Sequence, residues 1–209
     1  MTTEITTVAE LEELIGGAPL PWIAEKARTR LDPIDAEWIA HSPFVLLATS
    51  AADGTCDASP KGDPAGFVHV LDATTLAIPE RPGNRRVDGF RNMLTNPHVG
   101  LIFLVPGRTD TLRVNGRVRL VRDAPYFDDM IVKGHRPLLA AEVVVEEVFY
   151  HCAKAFLRAK LWRPEEWDPD ALPSRARIVQ ALERTADSLE EVERFYGPDY
   201  EQKIYQPNP

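Results

Sequence analysis

The sequence predicts a mainly β protein with added helices, built around one antiparallel barrel. Two observations support this fold class. Seven short runs with the composition of β-strands occur before residue 150, and most are joined by hairpin-type turns. Only two short helical segments lie between them, whereas a parallel sheet needs a crossover helix after nearly every strand. The 209 residues suffice for one well-buried domain with additions, or for two small domains.

The strands are predicted from apolar runs bounded by turn residues. Asp53-Gly54 is a strong hairpin signal between the first two runs. The seven predicted strands cover residues 44–49, 55–61, 67–71, 74–78, 99–105, 111–121 and 138–149.

Two of these strands carry further expectations. The run at 99–105 is almost wholly apolar, which predicts a strand buried on both faces. The run at 111–121 alternates cleanly except at Gly116, which indicates a bulge or a close backbone approach. Between the strands, Pro82 and Gly83 match a type II turn, in which the glycine takes positive φ.

Helices are predicted at both ends of the chain. Thr7 with Glu10 fits a capping box and Gly16 ends that helix, while Asp32 starts a second one before a proline. We expect this region to form an arm packed on the main domain. Other helical patterns cover residues 87–94, 126–130 and 152–162, and the charged segment from residue 174 contains a second capping-box match at Ser188 and Glu191, compatible with two helices there.

The expected organisation is one structural domain in three parts. Residues 1–42 form an N-terminal helical arm, residues 43–150 form the barrel core, and residues 151–209 form a C-terminal helical extension.

Composition narrows the function classes. A net charge of −8 and a pI of about 5.2 argue against a nucleic-acid partner, which needs a basic face, and more weakly against an anionic membrane surface. No apolar run approaches the roughly 20 residues of a membrane-spanning helix. The first residues are acidic and lack the apolar centre of a signal peptide. A cytoplasmic protein is the expectation.

Metal-binding and hydrolase motifs are missing from the sequence. Cys56 and Cys152 form no CxxC pattern, and the five histidines form neither HxH nor HExxH, so no metal site is expected. A disulfide between the two cysteines stays open at this point. There is no GxSxG segment, and no residue is a convincing general acid or base.

The arginine pair Arg85 and Arg86 is the leading candidate for binding an anion. It stands between a predicted strand and a predicted helix, where helix amides and guanidinium donors converge on a phosphate. Because adjacent residues rarely face the same way, we expect one arginine to bind the phosphate and the other to support it. The alternative is two solvated arginines on a loop.

The stretch from Phe44 to Asp123 resembles the pyridoxamine 5′-phosphate oxidase-like family of FMN-binding split β-barrels, and most closely a bacterial subgroup of it. The segments that carry the resemblance are SPKGDP at 59–64, RPGNRR at 81–86 and LRVNG at 112–116. The resemblance implies a split β-barrel, a homodimer, FMN at the subunit interface and oxidoreductase activity on an unknown small molecule. The Arg-x-His pattern of the vitamin-processing members does not occur, so a true pyridoxamine phosphate oxidase is not expected.

The resemblance also implies cofactor contacts from four places in the chain. A strand lines the flavin ring, the end of another touches the cofactor, a basic pair binds the phosphate, and a strand start offers a polar contact. The cofactor-binding set predicted in this way is Ser59, Pro60, Lys61, Gly62, Ile78, Pro79, Arg81, Asn84, Arg85, Arg86, Thr111 and Arg113.

Several of these residues also have a plain structural explanation. Lys61 could stabilise the anionic reduced flavin or simply end a strand at the surface, and the same choice holds for Ser59. Asn84 tolerates turn geometry on its own account. For Arg113, a solvated face of the barrel is favoured over a ligand role.

Three other functions stay open on the sequence. The chain could be a non-catalytic flavin-binding or sensing protein. It could be a split barrel that binds the deazaflavin F420 or heme. It could also be a barrel without any ligand.

Overall fold

Seven strands form one antiparallel sheet in a computed structural model, which describes residues 2–206 of the chain. The strands are β1 Phe44–Ser50, β2 Cys56–Gly62, β3 His69–Asp72, β4 Thr75–Pro79, β5 His98–Leu104, β6 Thr111–Val121 and β7 Ala140–His151. Their order in the sheet is β2-β1-β5-β6-β7-β4-β3. The predicted fold class, mainly antiparallel β with added helices, is confirmed.

Seven α-helices accompany the sheet within the described residues. They are α1 Val8–Ile15, α2 Pro21–Ala24, α3 Pro33–Ala40, α4 Asp88–Thr95, α5 Lys154–Ala159, α6 Arg175–Leu182 and α7 Leu189–Phe195. Short 3-10 helices occur at Pro125–Met130, Pro164–Glu166, Pro169–Ala171 and Glu201–Lys203. Of the α-helices, α4 packs against β1, β2 and β6.

The main core lies on one face of the sheet. Alternate residues of the strands point into it because side chains alternate between the two faces of a strand. The largest fully buried side chains are Phe103, Phe127, Ile39, Leu47, Leu76, Leu101, Leu112, Met130, Val45, Val114, Val143 and Val148.

The expectation that the strand at 99–105 is buried on both faces is wrong. Along β5, Val99, Leu101 and Phe103 are buried, but the residues between them are only partly covered. The reason is that only one side of this sheet packs on the core of its own chain. Apolar composition here therefore marks a second, partly exposed apolar face.

The prediction for Gly116 is confirmed. The register between β6 and β7 shifts between Asn115 and Gly116, as at a bulge. A Cβ at Gly116 would lie 2.1 Å from the carbonyl oxygen of Val144, so no larger residue fits without movement.

The N-terminal helix forms as predicted but does not pack as predicted. Thr7 and Glu10 make the capping box, and Gly16 ends the helix with φ of 92°. No residue of α1 is buried, and Val8 and Leu14 are each 71% exposed. Within the described residues, helix α1 therefore does not pack on the main domain of its own chain, whereas α3 does, because Ile39 is fully buried in the main core. The expected packing of the arm is confirmed for α3 and wrong for α1. The apolar residues of α1 find no covering surface there.

The predicted type II turn at Pro82-Gly83 is also wrong. Gly83 does not take positive φ, whereas Arg85 has φ of 61°. The backbone N–H of Arg86 donates to Oδ1 of Asn84 at 2.9 Å. This local side-chain bond moves the turn towards the arginines, because asparagine can replace a backbone acceptor in such a turn.

The C-terminal region contains two helices, as its capping box suggested. Ser188 and Glu191 make that capping box at the start of α7, and α6 and α7 share a small core of Ala176, Val179 and Val192. The predicted helix at 152–162 is shorter and covers Lys154–Ala159. No helix among the described residues is long and apolar enough to cross a membrane.

Candidate functional site

Five of the predicted cofactor residues line one cavity at a corner of the sheet. It lies between β2, the residues after β4 and the start of α4, and its volume is about 320 Å³. We call it the corner cavity. Its lining residues are Asp57, Ala58, Ser59, Pro60, Lys61, Glu80, Asn84, Arg86 and Asp88.

Lys61 is held in a defined position in the corner cavity. Its ammonium forms an ion pair with Glu80, and the two side chains are 19% and 26% exposed. The same ammonium lies 4.9 Å from the centre of the Phe90 ring. A lysine that merely ended a strand would not be fixed by two elements, so Lys61 is a preorganised cation.

The hydroxyl of Ser59 donates to Oδ2 of Asp57 at 2.5 Å, so both side chains face the cavity from β2. The first turn of α4 approaches them closely. A Cβ at Gly89 would lie 2.9 Å from Oδ2 of Asp57. A larger residue there would push the helix away, and the glycine thus permits the cavity to form at the helix start.

Arg86 reaches into the solvent at the edge of the corner cavity. Its Nε donates to the carboxylate of Asp88, and its side chain is 79% exposed. The hydrogen bond to Asp88 raises the pKa of Arg86, which stays charged. Arg85, next to it, is exposed as well.

The corner cavity can accept an anion if one ion pair opens. Its lining contains three carboxylates, those of Asp57, Glu80 and Asp88, against the cations Lys61 and Arg86. The pair of Arg86 with Asp88 is exposed, and such pairs contribute only about 0–1 kcal/mol. A phosphate oxygen can therefore take the place of the Asp88 carboxylate on Arg86, with Lys61 as the second cation of the lining, and these two cations fit a phosphate group.

Arg81 is bound by protein atoms of its own chain. Its Nε donates to Oδ2 of Asp63 at 2.5 Å, and its two other nitrogens donate to the carbonyl oxygens of Met130 and His135 at 2.7 and 3.2 Å. The Asp63 side chain is 1% exposed and that of Arg81 13%. With these donors engaged, Arg81 holds the fold together, and its contact with a cofactor stays a prediction.

The C-terminal segment forms a hydrogen bond to the Asp63 carboxylate as well. The hydroxyl of Tyr205 donates to Oδ1 of Asp63, and the Tyr205 ring stacks on His135 with centroids 5.6 Å apart. Burial, with help from the bond to Asp63, raises the pKa of Tyr205 to about 12. Residues after α7 are therefore fixed against the loop that follows β2.

Three predicted residues are buried in the fold. Ile78 belongs to the main core, Pro79 pairs with Ala140, and Thr111 pairs with His151. Their side chains are enclosed by protein, so they can offer a ligand only backbone atoms. Gly62, in contrast, is exposed at the end of β2.

Arg113 lies on the partly exposed face of the sheet, away from the corner cavity. Its guanidinium is 5.1 Å from the Phe149 ring, and its buried Nε has no hydrogen-bond partner within residues 2–206. Strand register places it three strands from Pro60, through Leu46 and Ile102, which is about 14 Å along the sheet. Arg113 is therefore separated from the five predicted residues that line the corner cavity of the same chain.

The C-terminal residues line a second cavity, which the sequence did not predict. It adjoins the corner cavity, shares Pro60 and Asn84 with it, and has a volume of about 700 Å³. We call it the C-terminal cavity. Its lining residues are Pro60, Pro82, Gly83, Asn84, Arg194, Phe195, Tyr200, Lys203, Ile204 and Gln206. A cluster of aromatic residues at 195–200 was the only sequence signal for it.

Within residues 2–206 there is no group of three or more His, Cys, Asp or Glu residues that could hold a metal ion. Cys56 and Cys152 are both free and exposed, so the disulfide left open by the sequence does not form.

The model of the pyridoxamine 5′-phosphate oxidase family matches residues 31–152, more than half of the chain. The chain belongs to this family, and the antiparallel sheet with its helices has the split-barrel fold class predicted from the sequence. A search of curated proteins found no match.

Three solved structures with a similar fold cover between 58% and 68% of the chain. A candidate pyridoxamine 5′-phosphate oxidase from Lactobacillus delbrueckii has 26% identity and a TM-score of 0.46, covering 58% of this chain and 95% of its own. An FMN-binding protein from Syntrophomonas wolfei has 15% identity and a TM-score of 0.42, with coverages of 68% and 97%. A heme storage protein from Vibrio cholerae has 16% identity and a TM-score of 0.41, with coverages of 58% and 94%.

Proposed function

We propose that this protein is an FMN-binding flavoprotein, and that it is an oxidoreductase acting on a small molecule. The observation that carries the proposal is the convergence of Arg86, Lys61 and Ser59 on one cavity beside the start of α4, in a chain of this family. When bound, a flavin supplies hydride-transfer chemistry, and the protein supplies position and electrostatics.

The phosphate would bind at the edge of the corner cavity. Arg86 releases Asp88 and donates to the phosphate, with Arg85 supporting it. The first amides of α4 add donors, because the residue before the helix, Val87, provides no side-chain cap for them. Asn84 holds the turn that presents the arginines.

Lys61 would act on the ring system of the cofactor. Its ammonium is fixed by Glu80 and by the Phe90 ring, so it does not need to reorganise when negative charge develops nearby. A fixed cation stabilises an anionic reduced flavin. Ser59 and the exposed backbone at Gly62 supply neighbouring polar contacts.

We further propose a homodimer in which two subunits share each cofactor site. On one chain, Arg113 is three strands away from the corner cavity, and its buried Nε lacks a partner among the described residues. In a dimer, one subunit would provide the corner cavity and its partner the Arg113 face. That face is apolar and partly exposed at Phe44, Leu46, Ile102, Leu104 and Phe149.

We propose that the chain is organised in three parts around the cofactor site. Residues 43–150 would form the FMN-binding core, residues 1–42 an arm, and residues 151–209 an extension. The exposed apolar residues of α1 suit an arm that contacts a second subunit.

The visible spectrum of the purified full chain tests the proposed function. We expect flavin absorbance, and release of FMN, identified by mass, on heat denaturation. Colourless protein that also fails to bind added FMN would contradict the proposal, and released F420 or heme would replace it with another cofactor. Anaerobic reduction by NADH or NADPH separates an oxidoreductase from a protein that only binds flavin.

A further inference from the structure

The C-terminal cavity has the size and position of a ligand site. Its volume of about 700 Å³ lies within the range of roughly 300–1,000 Å³ usual for small-molecule sites. It opens next to the corner cavity, and Pro60 and Asn84 line both. A molecule bound there would be adjacent to anything held in the corner cavity.

The wall of the C-terminal cavity is aromatic and cationic. Phe195 and Tyr200 lie with ring centroids 6.0 Å apart, opposite the loop residues Pro82 and Gly83. Arg194 and Lys203 are the charged lining residues, and none of the lining residues is acidic. This is a local reversal of charge in a chain with a net charge of −8.

The two cations remain available to a ligand. Among residues 2–206, Arg194 forms an ion pair with Glu190 at 3.4 Å, and both side chains are strongly exposed, so the pair contributes little. Lys203 has no ion-pair partner within residues 2–206. Both can therefore turn towards an anion in the cavity.

The cavity wall is part of the folded structure. Tyr205, beside the lining residues, is 8% exposed and bonded to Asp63, which also binds Arg81. On the other side, Val192 of α7 is fully buried against α6. The segment that lines the cavity is thus held on one side by the Tyr205–Asp63 hydrogen bond and on the other by the packing of α7 on α6.

We infer that the C-terminal cavity binds a small aromatic anion, such as an aromatic carboxylate, in the place that a substrate of the proposed flavoprotein would occupy. The ring of the ligand lies against Phe195 and Tyr200, since aromatic pairs stabilise each other at such distances. Its anionic group pairs with Lys203 and Arg194. The substrate role rests on the proposed function, whereas the binding itself does not.

Calorimetric titration of the full chain with 2-naphthoate tests the inference. The neutral probe 2-naphthalenemethanol has the same ring system without the charge. We expect 2-naphthoate to bind about tenfold more tightly than the neutral probe, the size of effect that one charged hydrogen bond gives. We also expect the same 2-naphthoate affinity with and without added FMN.

Two variants locate the binding. Gly83→Phe fills the cavity, and a Cβ there meets no atom within 4 Å, so the backbone can accept it. We expect it to abolish binding of both probes. Arg194→Gln with Lys203→Gln should weaken 2-naphthoate about tenfold and leave the neutral probe unchanged. Arg177→Gln, an exposed change on α6, is the matched control, and circular dichroism checks folding.

The outcomes separate this inference from the proposed function. Unchanged 2-naphthoate affinity in folded Gly83→Phe and in the double variant would overturn the inference, as would competition between 2-naphthoate and FMN. Binding of 2-naphthoate with these variant effects in a chain that does not bind FMN would support the site and contradict the proposed function. FMN binding without 2-naphthoate binding would support the proposed function and overturn the inference.

Discussion

The guanidinium of Arg81 and the carboxylate of Asp63 form a nearly buried ion pair, with Nε 2.5 Å from Oδ2. Tyr205 donates to the other oxygen of the same carboxylate. One side chain after β2 thus joins the loop after β4 to the C-terminal segment.

Removal of Arg81 should destabilise the fold rather than only weaken a ligand. In Arg81→Ala the Asp63 carboxylate stays buried without its cation, and breaking a buried pair in this way costs about 3 kcal/mol. Urea denaturation measures the loss. Arg163→Ala, in an exposed pair with Glu166, is the control and should lose less than about 1 kcal/mol. Equal losses in the two variants would show that the Asp63 pair is not structural.

The hydroxyl of Tyr205 gives a pH dependence at the alkaline end. Its pKa in the folded protein is about 12, above the unfolded value near 10, so folding favours the protonated form. The stabilisation by this group is complete below pH 10 and is lost as the pH rises towards 12. Absorbance titration of native protein should show one fewer late-ionising tyrosine in Tyr205→Phe. An identical titration curve would contradict the buried hydrogen bond.

The bulge at Gly116 should tolerate no side chain. Gly116→Ala places a methyl group 2.1 Å from the Val144 carbonyl oxygen, and relief of such overpacking costs about 1–3 kcal/mol. Gly83→Ala, where a Cβ meets nothing within 4 Å, is the matched control and should be neutral or slightly stabilising. Thermal melting of both variants measures the difference. Equal melting temperatures would disprove the close contact.

The sequence predicted the local features of this fold well. The capping boxes at Thr7 and Ser188, and the close approach at Gly116, depend on residues within a few positions or on the strand pattern itself. Part of the lining of the corner cavity could also be predicted from the sequence, because strand β2 and the turn after β4 carry the SPKGDP and RPGNRR segments. Five of the twelve predicted cofactor residues line it.

What the sequence missed depends on distant contacts. Tyr205 and Asp63 are 142 positions apart, and no sequence pattern connects them, so neither the contacts of Arg81 with the fold nor the C-terminal cavity was predicted. The apolar run of β5 predicted burial on both faces, yet composition cannot tell whether the covering surface belongs to the same chain. The turn at Pro82 was misplaced because the Asn84 side chain sets it.

A charge on the partly exposed sheet face should prevent the proposed homodimer. Ile102→Glu places a carboxylate between Leu46 and Arg113 on that face, and burying it against a second copy would be unfavourable. Sedimentation velocity should show a dimer for the native chain and a folded monomer for the variant. Leu182→Glu, at a residue that is 76% exposed on α6, should stay dimeric. A native chain that sediments as a monomer would contradict the shared cofactor site.

The affinity of the chain for FMN, with and without the arginine pair, tests the central claim most directly. Each charged hydrogen bond to a phosphate contributes about 1.5–3 kcal/mol, so Arg85→Ala with Arg86→Ala should weaken FMN binding by more than about tenfold. Because both side chains are exposed, folding should be retained, and Arg177→Ala should bind FMN like the native chain. Fluorescence titration of FMN gives the dissociation constants. Unchanged affinity in the folded double variant would show that the phosphate does not bind at the corner cavity.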